Sequence, residues 1–164
     1  MNVKWLQMSR TTQLLVEPGA ILRHCTEVEA ARLTAAWLAA FGVNRQGVNA
    51  KAFLWHIFSG GRYPSADGDG ALGQYRQQLA VEYMVLSNDG KTAFVTDVRP
   101  SRVSLSDYYV FPMNFAWTMA FTHEDGWLGP YFAKHVNFEQ LNNANLAQIK
   151  KQLEAAVART KGWA

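Results

Sequence analysis

The chain has 164 residues, 49% of them hydrophobic and 18% charged, with a net charge of +3. Those values exclude a disordered or low-complexity chain and leave enough apolar mass for one domain, residues 1–164, with its own core. Residues 1–82 carry 8 basic and 6 acidic groups and residues 83–164 carry 8 and 7, so the basic excess is spread out. Lys150-Lys151 is the only adjacent basic pair. A phosphate-binding surface needs clustered Lys and Arg, so nucleic acid is not an expected partner.

Cys25 is the only cysteine, which rules out an intrachain disulfide and fits a reducing compartment. The first ten residues lack the apolar centre of a secretory signal, and no run approaches the roughly 20 apolar residues of a membrane span. The expectation is a cytoplasmic protein without membrane contact.

Thr26 to Phe41 predicts the first helix. Thr26 and Glu29 form a capping box, and Gly42 sits where a left-handed cap would end the helix. Six alanines favour helix, and Trp37, Leu38 and Phe41 supply the packing bulk. Ala52 to Ser59 is a short apolar run that periodicity assigns to neither helix nor strand. Gly60-Gly61 closes it, and the breaker-rich stretch Arg62 to Gly70 reads as a loop. Ala71 to Gln78 offers one or two helical turns.

Leu79 to Leu86 and Thr92 to Val98 predict two strands around Asn88-Asp89-Gly90, with Pro100 ending the second. Tyr108 to Phe111 and Phe115 to Thr122 predict another pair. On the last strand Phe115, Trp117, Met119 and Phe121 share one face, and Ala116, Thr118, Ala120 and Thr122 the other. That pattern predicts a sheet covered by helices on one side. Phe138 to Lys161 predicts a long C-terminal helix with Asn137 as N-cap, Gln140 at the capping-box position, and a buried stripe of Leu146, Ile149, Leu153, Ala156 and Val157. The expected fold is α+β: a four-stranded antiparallel sheet packed by the N-terminal helix and the long C-terminal helix.

The densest chemical signal runs from Tyr108 to Phe132, which holds nine of the 21 aromatic residues. Its middle is the polar knot Thr122-His123-Glu124-Asp125. A histidine beside carboxylates can act as general base, but neighbours on a strand point to opposite faces. His56, inside Phe53 to Phe58, reads first as a core histidine. Gly68-x-Gly70-x-x-Gly73 follows a loop and carries acids where a phosphate would sit, so it is no dinucleotide fingerprint. The same stretch lacks the later acids of a calcium loop. Cys25 and Ser59 lack the surroundings of a nucleophile. No cofactor and no metal site is expected.

The runs Tyr109-Val-Phe-Pro112, Phe115-Ala-Trp-Thr118, Thr122-His-Glu124, Gly129-Pro-Tyr-Phe132 and Trp55-His-Ile-Phe-Ser59 resemble motifs of small bacterial cytoplasmic proteins, and this pattern is similar to immunity proteins encoded beside polymorphic toxins. The resemblance covers roughly residues 52–132. It implies a one-to-one complex with a cognate protein toxin whose active site is occluded. Arg62, Tyr63, Asp67, Asp69, His123, Glu124, Asp125, Trp127 and Tyr131 are the expected contact residues, since aromatic and arginine anchors dominate interfaces. The alternative is a small hydrolase-like enzyme using His123 with Glu124 or His56.

Overall fold

A computed structural model describes residues 13–124 and 126–162. The elements in chain order are β1 (Val16–Glu17), β2 (Ile21–His24), α1 (Glu27–Phe41), α2 (His56–Ser59), β3 (Ala66–Asp67), α3 (Gly68–Arg76), β4 (Tyr83–Ser87), β5 (Ala93–Thr96), β6 (Arg102–Val103), β7 (Tyr108–Phe111), β8 (Trp117–Phe121), β9 (Tyr131–Lys134) and α4 (Phe138–Thr160). The fold is α+β. The sheet has seven strands in the order β2-β5-β4-β7-β8-β9-β3, every neighbouring pair antiparallel. The four strands expected from sequence are its middle, β5-β4-β7-β8. Strand β2 joins one edge and β9 with β3 the other, while β1 and β6 form a separate ribbon.

Both faces of the sheet are buried, not one. Met84, Leu86, Tyr109, Phe111, Ala120 and Tyr131 lie in the core beneath α1 and α2. Tyr83, Val85, Val110, Trp117, Met119 and Phe132 lie in a second core with Ala71 and Tyr75 of α3, Val103 and the partly buried Phe138 and Leu141. Alternation therefore holds along β5, β4, β7, β8 and β9, and there each parity has its own apolar cover.

Helix α1 begins at the capping box read from sequence: the Glu29 N–H donates to Thr26 Oγ1, and Glu29 reaches back to the Thr26 N–H. Its Trp37 is fully buried among Phe41, Phe58 and Tyr109 and donates its indole N–H to Thr118 Oγ1 at 2.9 Å. Gly42 is not left-handed; its φ is −119°. A Cβ there would stand 2.7 Å from Leu38 Cδ2 and 3.0 Å from Ile57 Cδ1, so glycine lets these side-chain ends close over the helix end without shifting. Gly90 does take the positive φ, +71°, and its turn presses against Thr34 of α1.

The apolar run at 52–59 resolves as turns leading into α2, whose four residues include the buried Ile57 and Phe58. The expected 62–70 loop contains β3 and the start of α3. Phe115 is not a strand residue: it sits in a turn with φ +58°, stacked on Phe111 at 4.9 Å.

The C-terminal helix is present, but its apolar stripe is largely open, only Ile149 being partly buried. Leu146, Leu153 and Val157 are 44%, 63% and 51% exposed. The line of α4 that meets the body passes through Phe138, Leu141 and Asn145, and then turns polar at Gln148 and Gln152. Asn145 Nδ2 donates to Asn114 Oδ1 at 3.2 Å. Asn137 makes no side-chain cap; its own N–H donates to His135 Nδ1. Among the described residues no helix is long and apolar enough to cross a membrane.

Candidate functional site

One end of the sheet gathers the segments around residues 53–59, 107 and 122–131. Tyr108 of β7 pairs with Phe121 of β8, so the next residues outward, Asp107 and Thr122, leave the sheet side by side. Strand β8 has ended, and His123 and Glu124 stand in a turn. The rule that neighbours point apart no longer holds there. His123 Nε2 lies 3.4 Å from Glu124 Oε1.

Asp107 is the centre of this site, and its carboxylate is buried. Its Oδ1 accepts the Trp55 indole N–H at 2.9 Å and the His123 backbone N–H at 3.1 Å. His123 Nδ1 sits 2.9 and 3.0 Å from the two carboxylate oxygens. Trp55 is held in turn, because its backbone N–H donates to Tyr109 Oη at 3.0 Å. Tyr109 Oη donates to Asn88 Oδ1 at 2.7 Å, which also accepts the Leu54 N–H. A chain of hydrogen bonds thus runs from the β4–β5 turn through the core to the base of the 122–130 loop.

The hydrogen bond that His123 donates to the Asp107 carboxylate is the main cause holding its imidazole above the ordinary pKa; slight desolvation opposes it, and the Asp107 and Glu124 charges add to it. His123 is therefore biased towards the cation, a donor rather than a base. The group that Nε2 meets is a carboxylate, not a hydroxyl or thiol. His56 packs nearby: Phe53 lies 5.0 Å from the His123 ring and 5.8 Å from the His56 ring, and Trp55 lies 4.3 Å from His56. His56 Nδ1 is 3.2 Å from Ser59 Oγ, one helical turn away on α2. The two imidazoles share aromatic neighbours, while each is bonded to a different polar partner. Beside edge strand β2, burial raises the Cys25 pKa, so its thiol is not primed as a nucleophile. Among the described residues, no group of three or more His, Cys, Asp or Glu side chains is placed to hold a metal ion.

The outer lip holds several of the residues expected from sequence. Asp67, Asp69 and Trp127 line an open groove of about 450 Å³ with Leu72, Gly126 and Pro130. Trp127 is 82% exposed. Thr122 Oγ1 donates to the Leu128 carbonyl across the loop, and the Trp127 and Leu128 N–H groups donate to the Glu124 carbonyl. His123 and Glu124 stand at the base of this loop.

Three of the expected contact residues stand apart from this groove. Tyr131 is only 5% exposed, its ring stacked near Trp55, so it supports the lip from inside. Burial, with the Asp67 and Glu124 charges, raises its phenol pKa. Tyr63 packs on Phe41 and Phe58, donates to the Lys134 carbonyl at 2.5 Å and lines a different groove with Gln74, Phe132 and Lys134. Arg62 is exposed beside Gly47, apart from the Asp67–Trp127 groove. Asp125 lies outside the described residues. Asp107 and Trp55 were not expected, and nothing local to a lone Asp between Ser106 and Tyr108 marks it.

The pattern of a described family matches residues 19–132, from just before β2 to the middle of β9. The chain belongs to that family, the domain of unknown function DUF4275. The match contains the whole of the site above and stops short of α4. No curated protein and no solved structure gives a match.

Proposed function

We propose that this chain is a stoichiometric inhibitor of the immunity type, acting in the cytoplasm. In this reading it grips one cognate toxin with the 122–130 lip and occludes the toxin's active site. The observation that carries the reading is Trp127: an indole 82% exposed at the rim of an open groove, on a loop whose base is pinned. Tryptophan is the residue type most enriched among interface anchors. A loop held in place by Asp107, Trp55 and Thr122 loses little freedom on binding, which favours affinity. The lip is acidic, with Asp67 and Asp69 lining the groove beside the indole, although the chain as a whole is slightly basic. Its complement is an apolar slot ringed by Lys or Arg.

The test is a calorimetric titration of the purified chain with the toxin encoded beside it. A one-to-one complex is expected, weakened by about 30-fold or more in Trp127→Ala, the loss of a hot-spot residue. No association at micromolar concentration, or a complex indifferent to both Trp127→Ala and Asp67→Lys/Asp69→Lys, sinks the reading.

A second reading rests on the Asp107–His123–Glu124 series, which would suit an acid–base enzyme with protonated His123 as the donor and Glu124 or His56 beside it. The two readings separate on His123→Ala. An enzyme loses turnover; an inhibitor keeps a one-to-one complex and loses at most some affinity.

A further inference from the structure

We infer that the second half of α4 is a self-association surface, which pairs antiparallel with the same helix of a second copy of this chain. Helix α4 has 23 residues, and its contacts with the two cores come from Phe138 and Leu141 near its start. From Leu146 onward the apolar residues Leu146, Ile149, Leu153 and Val157 follow one another at spacings of three and four, which places them on one stripe. Leu146, Leu153 and Val157 are turned away from the body, where Gln148 and Gln152 face the β7–β8 turn, and Ile149 lies partly buried between the two lines.

Two observations point to a cover. Leu146, Leu153 and Val157 are 44%, 63% and 51% exposed, and burying such apolar side chains against a second surface is favourable. The second is charge and spacing together. Lys150 and Glu154 flank Leu153 and Val157 along one side of a shallow surface groove of about 300 Å³. In an antiparallel pair related by a two-fold axis, each flank meets the same flank of the other copy, run in reverse. With the axis at the level of Gln152, Lys150 of each copy stands opposite Glu154 of the other. In the same register Leu146, Ile149, Leu153 and Val157 come level with Ala158, Ala155, Lys151 and Ala147 of the second helix. The two apolar sets then alternate along the seam, each filling the gaps of the other. In a parallel two-fold pair opposite flanks meet, so Lys150 and Glu154 of the two copies stand on different sides of the seam and the reciprocal pairs are lost.

The surface lies beyond the family match at 19–132 and away from the Trp127 lip, so it is a separate device. The test is sedimentation of the full chain over a rising concentration series. The mass should climb from 18.4 kDa towards twice that value. Leu153→Glu should hold it at 18.4 kDa, with unchanged tryptophan fluorescence showing an intact body. Lys150→Glu and Glu154→Lys should each weaken association, and the double exchange, which restores reciprocal pairing only in the antiparallel arrangement, should recover it. A wild-type mass of 18.4 kDa at every concentration overturns the inference. So does a Leu153→Glu chain that associates like wild type, or a double exchange no better than the single changes.

Discussion

Replacing Asp107 by Ala removes the acceptor for two donors at the base of the lip. The Trp55 indole N–H, on a residue 1% exposed, loses its 2.9 Å partner and is left buried and unpaired, which costs about 1–3 kcal/mol. The His123 backbone N–H loses a partly buried bond at 3.1 Å, adding about 1 kcal/mol. The imidazole contact is open to solvent and adds little. The sum is about 2–4 kcal/mol, which at about 2–4 °C per kcal/mol for a chain of this size lowers Tm by roughly 5–15 °C. The assay is urea unfolding followed by circular dichroism, run beside Trp55→Phe and the double variant. The two single changes touch one hydrogen bond, so their costs should fall short of additivity by about 1 kcal/mol or more. Asp107→Asn keeps an acceptor for Trp55 and should lose less stability than Asp107→Ala, while lowering the His123 pKa in an NMR titration. A loss under 1 kcal/mol for Asp107→Ala, or strict additivity with Trp55→Phe, refutes Asp107 as the hub of the site.

His123 gains its partner in the folded state and its folded pKa is raised, so its ionic contribution is complete below the unfolded value of about 6.5 and fades as pH rises through the folded value. The Tm gap between wild type and His123→Ala should therefore be widest in mildly acidic buffer and should narrow on the alkaline side; a gap that widens there contradicts the pairing. Gly42→Ala drives a methyl against Leu38 and Ile57 and should cost about 1–3 kcal/mol in urea unfolding, even though its φ suits alanine. Trp127→Ala should leave folding stability within about 0.5 kcal/mol, since the ring is exposed; a larger loss in thermal melts would mean that the indole packs on its own chain and is not free for a partner.

Helix α1 and the β4–β5 hairpin were legible because their signals are local. The Thr26–Glu29 box lies within one turn of chain, and Asp89-Gly90 sits between two runs that pair across it. The edge strands were not legible. Strand β3 is two residues long, β9 follows Gly129-Pro130 directly, and β2 is exposed along most of its length. Each exists because a partner strand offers hydrogen bonds, which composition does not record. The one-sided sheet was a misreading of size as polarity. Ala120 and Thr118 are small because α1 lays Trp37 over them, and the Thr118 hydroxyl takes the indole N–H. The C-terminal stripe was read as buried because periodicity reports that a helix has an apolar face, not what covers it.

At the site the sequence marked the outer groups and missed the one that organises them. His123 and Glu124 stand out as a polar knot among aromatics, and Trp127, Asp67 and Asp69 as large or charged residues in breaker-rich segments. Asp107 is 16 residues from His123 and 52 from Trp55, so no motif of fixed spacing could join them. What joins them is register. Tyr108 opposite Phe121 sends Asp107 and Thr122 off the sheet together, and Tyr109, one residue further in, holds the Trp55 backbone. The same register explains the division of labour. Groups that bond to Asp107 are fixed by the sheet and turn their polar atoms inward. Further along the loop, beyond the Glu124 carboxylate that meets His123, the Trp127 ring faces water. A partner that reads Trp127 therefore reads a position set by the core, and changes to Asp107 should reach that partner through the loop without touching it.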